Sequence, residues 1–162
     1  MDSGRPGQDR SANNPEVLIF LDIDGVLRRR SARLYVLERG CLEALEEVVR
    51  EAPRARIVIT SSWREAFTLA ELKKGFSPDI AARILGVTPI ARDRTGNYRH
   101  REVMAYLERN GLRDRPWVAV DDDPLHYSAS ASVVLTDPDC GFDAEAASKL
   151  RAAIADNARF QR

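Results

Sequence analysis

Three short apolar runs, each broken off by reactive polar residues, constrain this chain more than any other feature. Val17-Leu18-Ile19-Phe20-Leu21 ends in Asp22-Ile23-Asp24-Gly25, Ile57-Val58-Ile59 in Thr60-Ser61-Ser62, and Trp117-Val118-Ala119-Val120 in Asp121-Asp122-Asp123. Runs this short, without polar alternation, are how strands buried on both faces read, and burial on both faces marks a parallel sheet. A fourth run, Val133-Val134-Leu135, precedes Thr136-Asp137-Pro138. Val87-Thr88-Pro89-Ile90 reads as a further strand, which Pro89 confines to an edge because it has no amide to donate.

Helical patterns lie between the runs. Leu42, Leu45, Val48 and Val49 predict a helix from Cys41 to Glu51, with Pro53 as its stop. Val103, Met104 and Leu107 predict another, capped by Gly111, and Ala147, Leu150 and Ile154 a last one. The stretch from Glu65 to Leu85 reads as two short helices broken near Gly75-Phe76-Ser77-Pro78. Parallel neighbours need crossover connections, so the alternation predicts an α/β fold, a Rossmann-like open parallel sheet flanked by helices. With 162 residues the chain suffices for one core and falls short of two, so 16–162 is expected to be a single domain. Residues 1–15, rich in Gly, Ser, Asn, Asp and Pro, predict a disordered tail.

Charge and cysteine content narrow the setting. Lys+Arg and Asp+Glu are equal at 25 each, so bulk charge selects neither an acidic nor a basic partner. One local cluster, Arg28, Arg29, Arg30 and Arg33, follows the first acidic turn, where it could steer phosphorylated substrates or contact a nucleic-acid backbone. Cys41 and Cys140, without paired spacing, suggest a reducing compartment and neither a zinc site nor a disulfide scaffold. The polar N-terminus lacks a signal-peptide pattern, and no stretch approaches the ~20 apolar residues of a membrane span. A cytoplasmic protein without membrane association is expected; the sequence says nothing of its oligomeric state.

In open α/β sheets, ligands bind beyond the carboxyl ends of the strands. Asp22, Asp24, Thr60 or Ser61, and Asp121 with Asp122 should therefore converge on one crevice. Asp22 and Asp24, two apart, lean to the same side of an extended chain, and Gly25 permits a sharp turn after them. Up to four carboxylates so close repel one another unless a cation sits among them. Oxygen-only ligands, with no His or Cys cluster, favour Mg²⁺. His100 and His126 offer no partner spacing and read as incidental.

Together these residues resemble the four motifs of haloacid dehalogenase-like (HAD-like) phosphatases. Leu21-Asp22-Ile23-Asp24-Gly25-Val26-Leu27 is similar to the first motif and Ile59-Thr60-Ser61-Ser62-Trp63-Arg64 to the second. Arg99, opening Arg99-His100-Arg101-Glu102-Val103, fits the third, and Val118-Ala119-Val120-Asp121-Asp122 the fourth. Ser61-Ser62-Trp63-Arg64, Arg99-x-x-Glu102, Trp117 leading into Asp121-Asp122-Asp123, and Leu135-Thr136-Asp137-Pro138 with Gly141 resemble more narrowly the HAD domain of Swiss Army Knife RNA repair proteins.

The resemblance implies a phosphohydrolase in which Asp22 forms an aspartyl-phosphate and Asp24 is the acid and base. It implies Mg²⁺ held by Asp22, the Asp24 carbonyl and one of Asp121 and Asp122, with Asp122 favoured as the direct ligand. Arg99 and Ser61 would hold the phosphoryl oxygens, with Thr60 as the alternative hydroxyl. Ser62 reads as a helix cap, Trp63 as a packing residue, and Arg64 and Arg28 as further candidates for substrate contact. The short connections after Leu27 and after Arg64 imply a capless or minimally capped enzyme. By analogy such an open site accepts bulky substrates such as nucleic-acid termini or phosphoproteins, or borrows a lid from another subunit. The expected partner is a phosphorylated small molecule or a nucleic-acid end, with a nucleotide or nucleic-acid terminus as the candidate substrate.

Other readings fit less well. A receiver-type phosphoacceptor would carry its acidic pair before the phosphorylated Asp, and here the order differs. No Gly-rich Lys-Ser/Thr loop of a P-loop kinase is present. A phosphotransferase of the same fold, or a non-catalytic phospho-ligand module, remains compatible with the motifs.

Overall fold

The structure, a computed structural model, describes residues 16–159, so the tail expected over 1–15 lies outside the described residues. In chain order the elements are β1 (Val17–Leu21), α1 (Arg39–Glu51), β2 (Ala55–Ile59), α2 (Leu69–Lys73), α3 (Pro78–Ala81), β3 (Ile84–Val87), α4 (Tyr98–Arg109), β4 (Trp117–Asp121), β5 (Val133–Leu135) and α5 (Ala144–Arg159). All five residues of β1 are buried, which is why no polar residue interrupts the run.

The strands form one parallel sheet in the order β3-β2-β1-β4-β5. The chain steps outward from β1 to β3, then returns to place β4 on the other side of β1. Strand order therefore reverses between β1 and β4, the switch point at which such sheets open a crevice.

Side chains of β1 alternate between two cores. Val17, Ile19 and Leu21 pack with Leu45, Val48 and Val49 of α1 and with Ala147 and Leu150 of α5. Leu18 and Phe20 pack on the other face with Val103 and Leu107 of α4. Phe20 meets Tyr106 and Trp117 edge-to-face at 5.8 and 5.7 Å, a geometry that aromatic quadrupoles favour.

The expected strand at 87–90 is corrected to Ile84–Val87, residues partly assigned from sequence to a helix. It is an edge strand, as anticipated, but Pro89 lies beyond it, where a missing amide breaks no ladder. Thr88 N still donates to Ile59 O at 3.0 Å. The two short helices between Glu65 and Leu85 are α2, opened by a Thr68–Glu71 capping box, and α3, with Pro78 in its first turn. Neither the β1–α1 connection nor the stretch from β2 to α4 holds an inserted domain. Among the described residues no helix is long and apolar enough to cross a membrane.

Candidate active site

The sheet's ladder does not stop where its strands end. Asp22 N donates to Val120 O at 3.0 Å, Thr60 N to Leu21 O at 2.9 Å, and Thr136 N to Asp121 O at 3.0 Å. This holds Asp22, Thr60 and Asp121 side by side at the carboxyl edge, all three buried. The chain then coils tightly: the amides of Val26, Leu27 and Arg28 all donate to Ile23 O at 3.0, 2.8 and 3.2 Å, and Gly25 N donates back to Arg28 O at 2.7 Å. Gly25 has φ 77°, and a Cβ there would collide with Asp122 Oδ2. Only glycine satisfies both the backbone and the neighbouring carboxylate.

Asp22, Asp121 and Asp122 each offer an oxygen within 4.8 Å of the others. Burial first, then the charge of Asp121, pushes the Asp22 carboxyl up to about 8, against the opposing pull of Arg99 and the Ile23 amide. Asp122 is pushed up to about 6, again by burial and then by Asp121. Acids crowded this way shed their protons readily only if positive charge enters between them, so the donor set fits a hard divalent cation with oxygen ligands. Asp121 Oδ1 already accepts from Asp123 N at 2.9 Å and lies 3.3 Å from His126 Nδ1. Asp122 is the more exposed of the two.

The Asp24 side chain is not part of this group. Its Oδ1 accepts from Arg28 Nε at 2.8 Å and from Trp63 Nε1 at 3.1 Å. Its carbonyl oxygen accepts no backbone hydrogen bond among the described residues.

Beside the acids lie several unanswered buried polar atoms. Among the described residues, Thr60 Oγ1, Arg99 Nε and the Tyr127 hydroxyl have no hydrogen-bond partner; nor has Thr88 Oγ1, beyond the end of β3. Tyr127 is buried against Thr60 and within the fields of Asp121, Asp22 and Arg99; burial foremost raises its phenol well above the ordinary range. Orphaned buried donors are costly, and an oxyanion between them and a cation would satisfy those of Thr60, Arg99 and Tyr127. Ser61 is also fully buried, but its Oγ accepts from Trp63 N at 3.2 Å. Ser61 is thus the helix cap expected at Ser62, which is exposed instead.

Two sequence expectations are corrected. Arg64 is not available to a substrate. It donates from Nε to Thr88 O, from Nη1 to Thr60 O and Ser61 O, and from Nη2 to Pro89 O and Glu102, with its side chain 1 % exposed. Every donor of its fork is engaged. Arg28 likewise turns inward, to Asp24 and to Ala32 O at 2.7 Å. Arg29 pairs with Glu38, which leaves Arg30 and Arg33 as the exposed, unpaired members of the cluster among the described residues.

Several site residues had no role assigned from the sequence, although Glu102 stands in the Arg99-x-x-Glu102 motif. Glu102 is buried between Arg64 at 2.9 Å and Arg99 at 3.0 Å, and accepts from Ala91 N at 2.8 Å. Burial disfavours the Arg99 charge, but Asp22 and Glu102 outweigh it and raise its pKa overall. His126, read as incidental, lies beside Asp121 and Asp123 and packs on Tyr98 at 4.8 Å. The Asp121 hydrogen bond raises its pKa against the opposing effect of burial. It enters the site through the turn Pro124–His126, whose course no local pattern announces. His100 instead bonds Ser128 Oγ at 2.9 Å, away from the acids.

A family model described as the HAD domain in Swiss Army Knife RNA repair proteins matches residues 18–147, which span every element from β1 into α5. No curated protein and no solved structure gives a significant match.

Proposed function

Because the chain belongs to the family of HAD domains found in Swiss Army Knife RNA repair proteins, a family of phosphatase-type hydrolases in general, we propose that it is a Mg²⁺-dependent phosphohydrolase acting through Asp22. The observation that carries this reading is the juxtaposition of three crowded carboxylates with Thr60, Arg99 and Tyr127, whose buried donors Oγ1, Nε and hydroxyl have no partner among the described residues. A cation subsite beside an oxyanion subsite is what phosphoryl transfer needs, since its catalysis rests on positioning and charge stabilisation.

Asp22 Oδ1 accepts from the Ile23 amide at 2.8 Å, which orients the carboxylate and leaves Oδ2 to attack. Attack on phosphorus forms an Asp22 O–P bond and breaks the bond to the leaving oxygen. Asp24 gives that oxygen its proton. In the second half, Asp24 takes a proton from water as the water oxygen attacks phosphorus. The acyl-phosphate O–P bond then breaks, returning Asp22 and free phosphate. Arg99 and the Thr60 or Ser61 hydroxyl hold the equatorial oxygens. Mg²⁺, held by Asp22, the Asp24 carbonyl and Asp122 with Asp121 beside it, would offset the repulsion between these acids and an anionic phosphate.

The substrate class we favour is a nucleotide or a nucleic-acid terminus, as the family's description suggests. Two free thiols, Cys41 and Cys140, support a reducing, cytoplasmic setting. The test is phosphate release in Mg²⁺ from an aryl phosphate, from nucleotides, and from oligonucleotides phosphorylated at either end. Asp22→Asn should lower release on the order of a thousandfold or more while the protein stays folded. Turnover that survives this change, or no release from any substrate, overturns the proposal.

A further inference from the structure

The loop between β1 and α1 carries an aromatic residue that neither the core nor the phosphoryl chemistry explains. Tyr35 is the one non-glycine among the described residues with positive φ, 59°. A bulky side chain in that conformation is strained, and strain of this kind persists where surrounding packing holds it. The Tyr35 ring packs edge-to-face on Trp63 at 5.3 Å and on Phe67 at 5.2 Å, yet the residue remains 50 % exposed. Leu34 and Val36 beside it are exposed as well. Trp63 in turn donates its indole N–H to Asp24, the group that meets the leaving oxygen in the reading above. Tyr35 therefore stands one ring away from Asp24, on the leaving-group side. Arg30 and Arg33 extend from the same loop without an ion pair to a described residue.

We propose that Tyr35, propped by Trp63 and Phe67, is a stacking platform for a nucleobase in the leaving group, with Arg30 and Arg33 facing its anionic backbone. This rests on the phosphohydrolase reading and adds to it which part of the substrate is recognised. The aromatic group supplies a face that any base can cover, and the two cations supply charge complementarity for a nucleotide chain. A plain alkyl phosphate would use the acids and Arg99 but find nothing at Tyr35.

The test compares kcat/KM for AMP with that for ribose 5-phosphate, an ester of the same charge and sugar that lacks the base. The native protein should prefer AMP by about tenfold or more, within what one stacked base contributes. Tyr35→Ala should bring the ratio close to one, and Tyr35→Phe, which keeps the ring, should preserve it. An unchanged ratio in Tyr35→Ala, or no preference in the native protein, overturns the platform while leaving the phosphohydrolase intact. Absence of any phosphate release would sink the phosphohydrolase reading alone. The platform is then judged by equilibrium binding of AMP and ribose 5-phosphate, followed through tryptophan fluorescence, where the same tenfold difference and the same dependence on Tyr35 must appear.

Discussion

At the scale of single residues, Glu102 has the most consequential environment in the molecule. Its two oxygens are shared between the buried Arg64 and Arg99, and its side chain is 1 % exposed. Taking away one member of a buried ion pair leaves the rest charged and unsolvated, a loss of about 3–5 kcal/mol. Glu102→Gln should therefore lower the unfolding free energy by that order in urea titrations. It should also free Arg99 from the anchor that aims it at Asp22, raising KM for the phosphate ester in whatever fraction remains folded. A variant as stable as the native protein would show that the two guanidinium groups find other partners. Arg64, by contrast, joins the ends of β2 and β3 through main-chain carbonyls and reaches α4 through the Glu102 carboxylate, so its contribution is to hold the frame in which Arg99 sits.

At the scale of elements, the turn after β1 joins the sheet to the acids. A Cβ at Gly25 would collide with Asp122 Oδ2 in a backbone conformation that L-residues rarely adopt. Gly25→Ala should push Asp122 out of the carboxylate group and abolish the rise in melting temperature produced by Mg²⁺; a rise equal to the native one would refute the role given to this contact. This turn was readable beforehand because Asp22-Ile23-Asp24-Gly25 states both its acids and its glycine in consecutive residues. The strands β1, β2 and β4 were readable for a similar reason, since burial on both faces excludes polar residues from a local run. β3 was misplaced because Ile84 to Val87 reads equally as the end of a helix, and only pairing with β2 decides between them. Glu102 and Tyr127 acquire their roles in part from residues distant in sequence, Arg64 and Thr60, while His126 reaches Asp121 and Asp123 only through the course of the turn between them. Arg64 and Arg28 read as surface cations because nothing local reveals the carbonyls and carboxylate that draw them inward.

At the scale of the whole molecule, the acids link metal binding to stability. An aspartate in the unfolded chain has a pKa of about 3.9. In the folded protein without a cation, Asp22 keeps its proton up to about 8 and Asp122 up to about 6. At these two groups the folded state thus binds more protons than the unfolded one across that interval, so the stability they contribute is fullest below about pH 4 and declines as pH rises towards 8. Melting temperatures in EDTA should fall from these groups between pH 5 and 8, and Mg²⁺ should restore more at pH 8 than at pH 5, because it replaces protons the site has lost. Parallel pH profiles with and without Mg²⁺ would exclude this linkage. The continuation of the ladder through Asp22, Thr60 and Thr136 has a kinetic meaning. These amides can exchange their hydrogens only when the central sheet opens. On the phosphohydrolase reading, the floor beneath the phosphoryl group is thus part of the sheet itself, and protection of these three amides equal to that of the β1 amides in hydrogen exchange is the expected outcome.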